Sequence, residues 1–386
     1  MLYFLILLLV LVALILIIDW IPLLNTWLSR IKIGRFQDKN FWHQKVFQVS
    51  KKWLNKTPTI KLTDNNRLII IDILKGNYKR NSIQSWQKAS LLLGLNQYAI
   101  KNNDAEAKKL VQNFIDSEID FNGNWKQNPT EIDAIILAYA IFKVDGLEVQ
   151  KCKPALDYSY NLILNLKGSD GTIAYRKHIS DFRFVDTIGF ISPFLIRYGT
   201  IFNNQEAINL GIKQITEFNK FAMLNDEFIP CHTYNIKSNL PVGLFGWGRG
   251  LGWYAIGLID AWNELSETHS QKSEITQLVS RFAQMTMKFQ NENGSWNWLI
   301  LNRQSQADSS TTATLAWFLA NAISISGIKD EANLSKEKAL NYLQKVTRRS
   351  GAIDFSQGDT KGIGVHSQEF DILPFTQGFC LRTLNL

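Results

Sequence analysis

Trp247-Gly248-Arg249-Gly250-Leu251-Gly252-Trp253 sets one guanidinium between two indoles, with three glycines interleaved. An arginine forks two N–H groups onto a carboxylate, indole faces lie flat on a sugar ring, and glycines let backbone pass close to a ligand. A phosphate loop needs a preceding strand and a following Lys-Ser/Thr, and this run has neither. The plainer reading of the same residues is a glycine-rich turn with packed tryptophans. Two acids open apolar stretches: Asp186 in Phe184-Val185-Asp186-Thr187-Ile188-Gly189-Phe190 and Asp133 in Thr130-Glu131-Ile132-Asp133-Ala134-Ile135. An Asp at a helix start is by itself a routine cap. One surrounded by apolar residues is also desolvated, which raises its pKa and keeps a proton available for general acid/base work. His232 in Cys231-His232-Thr233-Tyr234-Asn235, Ser309 in Asp308-Ser309-Ser310-Thr311-Thr312, and Trp86 complete the candidates. Asp308 reads first as an N-cap, and a lone His is more often structural than catalytic. The chain has no Gly-x-Ser-x-Gly, Walker loop or His-Glu-x-x-His.

These residues are far apart in sequence, so the elements must bring them together. Twelve segments of helical period alternate with short polar breaks, over 38–55, 82–100, 104–118, 130–144, 153–166, 186–200, 204–222, 248–267, 272–290, 308–326, 333–348 and 369–384. Gly breaks recur in similar company at Asn122-Gly123-Asn124-Trp125, Asp170-Gly171-Thr172-Ile173, Asn293-Gly294-Ser295-Trp296 and Ser350-Gly351-Ala352-Ile353. Each follows an odd segment and precedes an even one, and each predicts a tight turn opening a short hairpin. A helix pair repeated six times predicts an all-α fold, an (α/α)6 barrel with the even helices inside; an open solenoid has the same period. In such a barrel the inner helices run parallel. Trp86, Asp133, Asp186, Arg249, Ser309 and Glu369, with its neighbour His366, would then gather at one mouth, where helix dipoles favour negative charge.

Composition narrows the function classes. Of 386 residues, 46% are hydrophobic and 12% aromatic, with 12 Trp, which excludes disorder as the main state. The net charge of +8 would suit nucleic acid, but its location excludes that partner. Between Arg30 and Lys56 lie eight basic residues against the single acid Asp38, and the rest of the chain is nearly neutral. This collar directly follows Met1–Ile18, a run without a charged side chain, which Asp19 ends and Trp20–Leu24 extend. A helix of about 20 apolar residues spans a bilayer. Without a basic leading region or a small-residue cleavage site, the run reads as an uncleaved anchor rather than a signal peptide. The positive-inside rule then gives a single-pass inner-membrane protein with a cytoplasmic body. The expected organisation is an anchor over 1–24, a basic juxtamembrane segment with the first barrel helix over 25–56, and the remainder of the barrel over 57–386. Cys152, Cys231 and Cys380 are too few and too far apart for a disulfide framework or a zinc site.

Taken in order, the Asp133, Asp186, His232, Trp247–Trp253 and Asp308-Ser309-Ser310 segments resemble the unsaturated glucuronyl and rhamnogalacturonyl hydrolases, glycoside hydrolase families 88 and 105, over roughly residues 80–384. The resemblance implies an (α/α)6 barrel and an oligo- or polysaccharide substrate carrying a uronate. It implies Asp186 as general acid/base hydrating a C4=C5 double bond and Asp133 as its partner, holding ring hydroxyls or tuning its pKa. Trp86, His232, Trp247, Arg249, Trp253 and Ser309 would bind substrate, and no metal or organic cofactor would be needed. Three readings follow. The first is a membrane-anchored hydrolase of unsaturated or uronate-containing glycans. The second is a non-hydrolytic glycan-binding component of a polysaccharide-synthesis apparatus. The third is another α/α-barrel enzyme, an epimerase or prenyl cyclase, against which the scarcity of His and the missing Asp-rich motif both count.

Overall fold

Residues 1–58, 60–61, 63–77 and 84–386 are described in the computed structural model, so the first two residues of the expected 82–100 helix lie outside it. The helices among the described residues are α1 (Leu2–Arg30), α2 (Lys39–Asn55), α3 (Ile69–Leu74), α4 (Ser85–Asn102), α5 (Ala105–Glu118), α6 (Ile135–Phe142), α7 (Lys153–Leu164), α8 (Val185–Phe202), α9 (Gln205–Phe221), α10 (Gly248–Glu264), α11 (Lys272–Lys288), α12 (Ser309–Ala322), α13 (Lys329–Lys345) and α14 (Pro374–Leu384). Twelve of them match the twelve expected segments. Helices α4, α6, α8, α10, α12 and α14 each pack on the next, and α14 packs back on α4, closing a ring. That closure excludes the open solenoid. The outer six are α2, α5, α7, α9, α11 and α13. Burial separates the two sets. Every residue of α6 is buried, whereas α11 buries one stripe that includes Ile275, Val279, Phe282 and Thr286.

The four Gly breaks form the same turn. In each, the first residue donates its N–H to the carbonyl four residues on: Asp120 to Asn124 (2.8 Å), Gly168 to Thr172 (2.8 Å), Asn291 to Ser295 (2.9 Å) and Arg348 to Ala352 (2.8 Å). The glycine takes a positive φ, 81° at Gly123 and 96° at Gly351, where a Cβ would also meet the carbonyl oxygens of Lys151 and Lys45. These turns lead into inner helices, so they define the end of the barrel where the inner N-termini gather. Ion pairs close the other end. Arg382 meets Asp260 at 2.7 Å, Arg197 meets Glu264 at 2.9 Å, and Lys143 meets Glu264 at 2.7 Å.

Some elements depart from expectation. Beyond the short hairpins expected at the Gly breaks the sequence pattern indicates no strands, yet β1 (Phe182–Phe184), β2 (Met223–Leu224), β3 (Ile229–Asn235) and β4 (Leu240–Phe245) form a small antiparallel sheet with β3 central, and β5 (Ser356–Gln357) pairs with β6 (Phe370–Asp371). In β3 six successive residues are buried, so no polar alternation marks it. The segment expected as helix from 369 starts with β6 and turns helical only at Pro374. Helix α3 was not expected. Helix α1 runs unbroken to Arg30, buries none of its side chains, and is long and apolar enough to cross a membrane.

Candidate active site

At the inner N-terminal end lies a cavity of about 590 Å³. Trp86, Asp133, Asp186, His232, Trp247, Arg249 and Trp253 all line it, so seven of the eight expected site residues converge. Ser309 does not. Its side chain is fully buried away from the cavity, because Asp308 caps α12, as the plainer reading of that motif held, and accepts from the backbone N–H groups of Ser310 and Thr311. The segment reaches the site indirectly. Asp308 also accepts from the Gln357 N–H at 2.9 Å; Gln357 in turn accepts from the Trp247 indole at 3.0 Å and offers its carbonyl to Arg249. Glu369 also stays outside, paired with Asn66 at the surface. His366 lies 4.9 Å from Trp247, centroid to centroid, behind the lining.

Asp186 sits in the first turn of α8, immediately after β1. The pairing of Phe184 with Thr233 across β1 and β3 brings His232 alongside, its Nε2 3.6 Å from Asp186 Oδ2. The Asp186 carboxyl is only 15% exposed, and Oδ2 has no hydrogen-bond partner among the described residues. Burial pushes its pKa up to about 7; its own backbone N–H and Arg249 pull it down, while Asp359 and Asp133 add to the rise. Burial, reinforced by His366, pushes His232 down to about 3, so this imidazole is neutral near pH 7. Asp133 lies in a short 3-10 turn and meets Arg176 at 3.0 Å, and Arg176 also holds Glu131 at 3.1 Å.

Arg249 opens α10 and is 2% exposed. Its Nη2 donates to the carbonyls of Gln357 and Gly358 and its plane lies 5.6 Å from the Trp86 ring, but Nε and Nη1 have no partner and no carboxylate pairs with it among the described residues. A buried guanidinium normally carries a counter-ion, so this one leaves an anion seat open in the cavity. The glycines around it serve packing rather than ligand approach. A Cβ on Gly248 or Gly252 would strike Thr311 or Thr314 of α12, and one on Gly250 the Trp247 ring. The cavity floor is aromatic, with Trp253 4.5 Å from Phe190 and 5.7 Å from Trp86.

Sequence reasoning missed Asp359, Lys361, Gln84, Tyr175 and Arg176, which also line the cavity. Asp359 accepts from Gln84 at 2.7 Å and faces Asp186 closely enough to raise its pKa. The available signal was Gly358-Asp359-Thr360-Lys361-Gly362-Ile363-Gly364, a polar loop with three glycines between β5 and β6. Tyr175 and Arg176 follow the second Gly turn within four and five residues, a position the repeat itself marks.

A closed six-hairpin barrel with acids, an arginine and tryptophans around its one mouth defines a carbohydrate-active α/α-barrel enzyme. The family model of Glycosyl Hydrolase Family 88 matches residues 46–381, and the chain belongs to that family of glycoside hydrolases. Among solved structures, a possible member of the GH105 family from Klebsiella pneumoniae is similar at a TM-score of 0.75 and 14% identity, over 91% of this chain and 93% of that one. The unsaturated glucuronyl hydrolase of a Bacillus species, responsible for the degradation of glycosaminoglycan, is similar at a TM-score of 0.63 and 15% identity, over 89% and 94%. A substituted UGL with dGlcA-Glc-Rha-Glc is similar at 0.65 and 16%, over 89% and 94%. No curated protein sequence matches the chain.

Proposed function

We propose that the protein removes a terminal unsaturated uronyl residue from an oligosaccharide, with Asp186 as general acid/base. The observation that carries this reading is the pairing, in one cavity, of a carboxyl whose pKa is pushed up to about 7 with a buried arginine that lacks a counter-ion. The first can hold a proton at neutral pH and return to carboxylate after giving it away. The second recognises the uronate carboxylate by a charge-assisted hydrogen bond from an unpartnered N–H. In the reaction Asp186 protonates C4 of the C4=C5 bond while water adds at C5, and the Asp186 carboxylate takes the proton that the water loses. The resulting hemiketal opens to a ketone, which frees the anomeric carbon as a hemiacetal, and that collapses to an aldehyde and expels the aglycone. Asp133, held by Arg176, is placed to meet ring hydroxyls, and the tryptophans provide the apolar walls.

Helix α1 supports an anchored enzyme, and the basic collar after it supports a cytoplasmic body. A C-terminal phosphatase fusion stays inactive in that orientation and becomes active in the reverse one. The activity is tested with a panel of Δ4,5-uronyl disaccharides followed by the ultraviolet absorbance of the double bond. Loss of absorbance with wild type and its retention with Asp186→Asn is the expected result. No loss on any uronyl sugar, while Asp186→Asn still abolishes polysaccharide production in cells, would favour a glycan-binding assembly component instead.

A further inference from the structure

Asp19 is the one acid in α1, and the glycosidase reading leaves it without a role. The structure gives it a partner. Its two carboxylate oxygens accept from the backbone N–H groups of Leu68 (2.9 Å) and Ile69 (2.8 Å), the start of α3. Leu68 takes a φ of 52° there, a conformation leucine rarely adopts. Helix α3 reads Ile-Ile-Ile-Asp-Ile-Leu. Its own acid, Asp72, is turned inward and held by Asn65 (2.9 Å) and Asn77 (2.7 Å). What remains outward is apolar: Leu68, Ile71, Ile73 and Leu74 are between 45% and 82% exposed.

This patch continues the bare surface of α1, against which α3 packs. At 1.5 Å per residue, Leu2 to Asp19 covers about 26 Å, close to the roughly 30 Å hydrocarbon core, so Asp19 and α3 fall at headgroup level. Two basic side chains, Arg67 and Lys75, flank α3 at that level, where anionic headgroups would meet them.

The same attachments lie at the mouth of the barrel. Arg30, in the last turn of α1, makes a two-pronged pair with buried Asp354 (2.7 and 2.8 Å) just after the fourth Gly turn, and donates to the Phe370 carbonyl. Asp64, a few residues before α3, accepts from Ser367 at 2.6 Å and meets Lys361, a cavity-lining residue, at 3.3 Å.

We infer that α3 is a lipid-contacting foot that, together with α1, seats the mouth of the cavity at a bilayer surface, so that the enzyme works on glycan chains rooted in the same membrane. The substrate half of this inference rests on the proposed glycan activity; the lipid contact does not.

The test uses the full chain reconstituted in vesicles of phosphatidylethanolamine and phosphatidylglycerol. The native cysteines are all buried, so an environment-sensitive dye can be placed on Leu74→Cys, with Thr268→Cys at the opposite end of the barrel as control. Emission from position 74 shifts to the blue and is quenched by doxyl-labelled lipid, and emission from position 268 is not. Water-like, unquenched emission at 74 overturns the foot. Shielding at 74 that depends on protein concentration and is insensitive to doxyl-lipid also overturns it, because a second copy then covers the face. In the second arm, one uronyl oligosaccharide is offered free and on a lipid anchor in the same vesicles. Tethering raises the local concentration, so kcat/KM for the anchored form is about tenfold higher or more, and Ile71→Asp with Leu74→Asp removes the preference. Equal rates in wild type overturn the substrate half. Quenching with no turnover of either form counts against the glycosidase reading and leaves the foot standing.

Discussion

Asp186→Asn should abolish turnover and yet stabilise the fold above neutral pH. The carboxyl is moved from an ordinary 3.8 to about 7 by burial. At 1.36 kcal/mol per pH unit, its ionisation in the folded state costs about 4 kcal/mol. The unfolded chain releases this proton near pH 4, the folded chain only near 7. Below about pH 4 both states hold the proton and nothing is lost; between about 4 and 7 stability falls as pH rises; above 7 the whole cost is present. Asparagine has no proton to lose. The substitution therefore gains up to about 4 kcal/mol at pH 8 and almost nothing at pH 4, with the gain trimmed by the 15% exposure that lets water reach the charge. At about 1 °C per kcal/mol for a chain of 386 residues, Tm rises by up to about 4 °C at pH 8. Thermal unfolding of both forms at pH 4, 6 and 8, with turnover on a Δ4,5-uronyl disaccharide, measures both effects. Turnover drops by about 10²–10⁴ or more. A Tm gain of equal size at pH 4 and 8, or a loss at pH 8, would show that the carboxyl is not displaced; full turnover would remove Asp186 from the chemistry.

Arg249→Lys keeps the charge and loses the planar, rigidly held N–H donors, so KM for a uronyl substrate rises about tenfold or more while kcat falls less; an unchanged KM in steady-state kinetics would dissociate Arg249 from the carboxylate. Arg30→Ala leaves buried Asp354 with Arg348 as its remaining ion-pair partner among the described residues and costs about 1–3 kcal/mol by thermal unfolding. Hydrogen bonds to the two arginines hold Asp354 below its ordinary pKa against the opposing effect of burial, so this contribution is present above the ordinary carboxylate pKa and is lost as pH falls; the Arg30→Ala deficit is larger at pH 7 than at pH 3. Gly123→Ala places a Cβ against the Lys151 carbonyl in a turn of positive φ, whereas Gly146→Ala has an open space around it and bears only backbone strain of about 1 kcal/mol. Calorimetry should rank Gly123→Ala well below Gly146→Ala in Tm.

The inner and outer helices were legible because the inner ones are buried over most of their surface and the outer ones along one stripe, and because one turn recurs four times with its glycine in place. Convergence of Asp133, Asp186 and Arg249 then followed from parallel inner helices alone. His232 was legible as a residue but not in its placement, since the strand that carries it is buried throughout and shows no period of two. Ser309 was misplaced because a capping Asp and a ligand-binding acid-Ser pair have the same sequence. What separates them is the Gln357 N–H on Asp308, a contact made across 49 residues. Asp359 was invisible for a related reason: a loop acid has no periodicity, and its effect on Asp186 exists only once the loop folds over the mouth.

Arg249 and Asp186 share a cavity but do not pair, and their separation is functional in the proposed reaction. A direct ion pair would stabilise the carboxylate and strip Asp186 of the proton it is to donate. At the observed placement Arg249 lowers the Asp186 pKa only partly, and burial still holds it at about 7. A substrate carboxylate seated on an unpartnered N–H of Arg249, at Nε or Nη1, cancels much of that positive charge, brings a negative one, and expels water from the cavity. All three effects favour the protonated acid, so binding the correct substrate arms its own catalyst. The consequence is visible in kinetics. The fall in kcat/KM reports the free enzyme and lies near pH 7; the fall in kcat reports the complex and lies at higher pH. His232, neutral down to about pH 3, adds no inflection between them. Coincident inflections in the two profiles would mean that the substrate anion sits elsewhere than on Arg249.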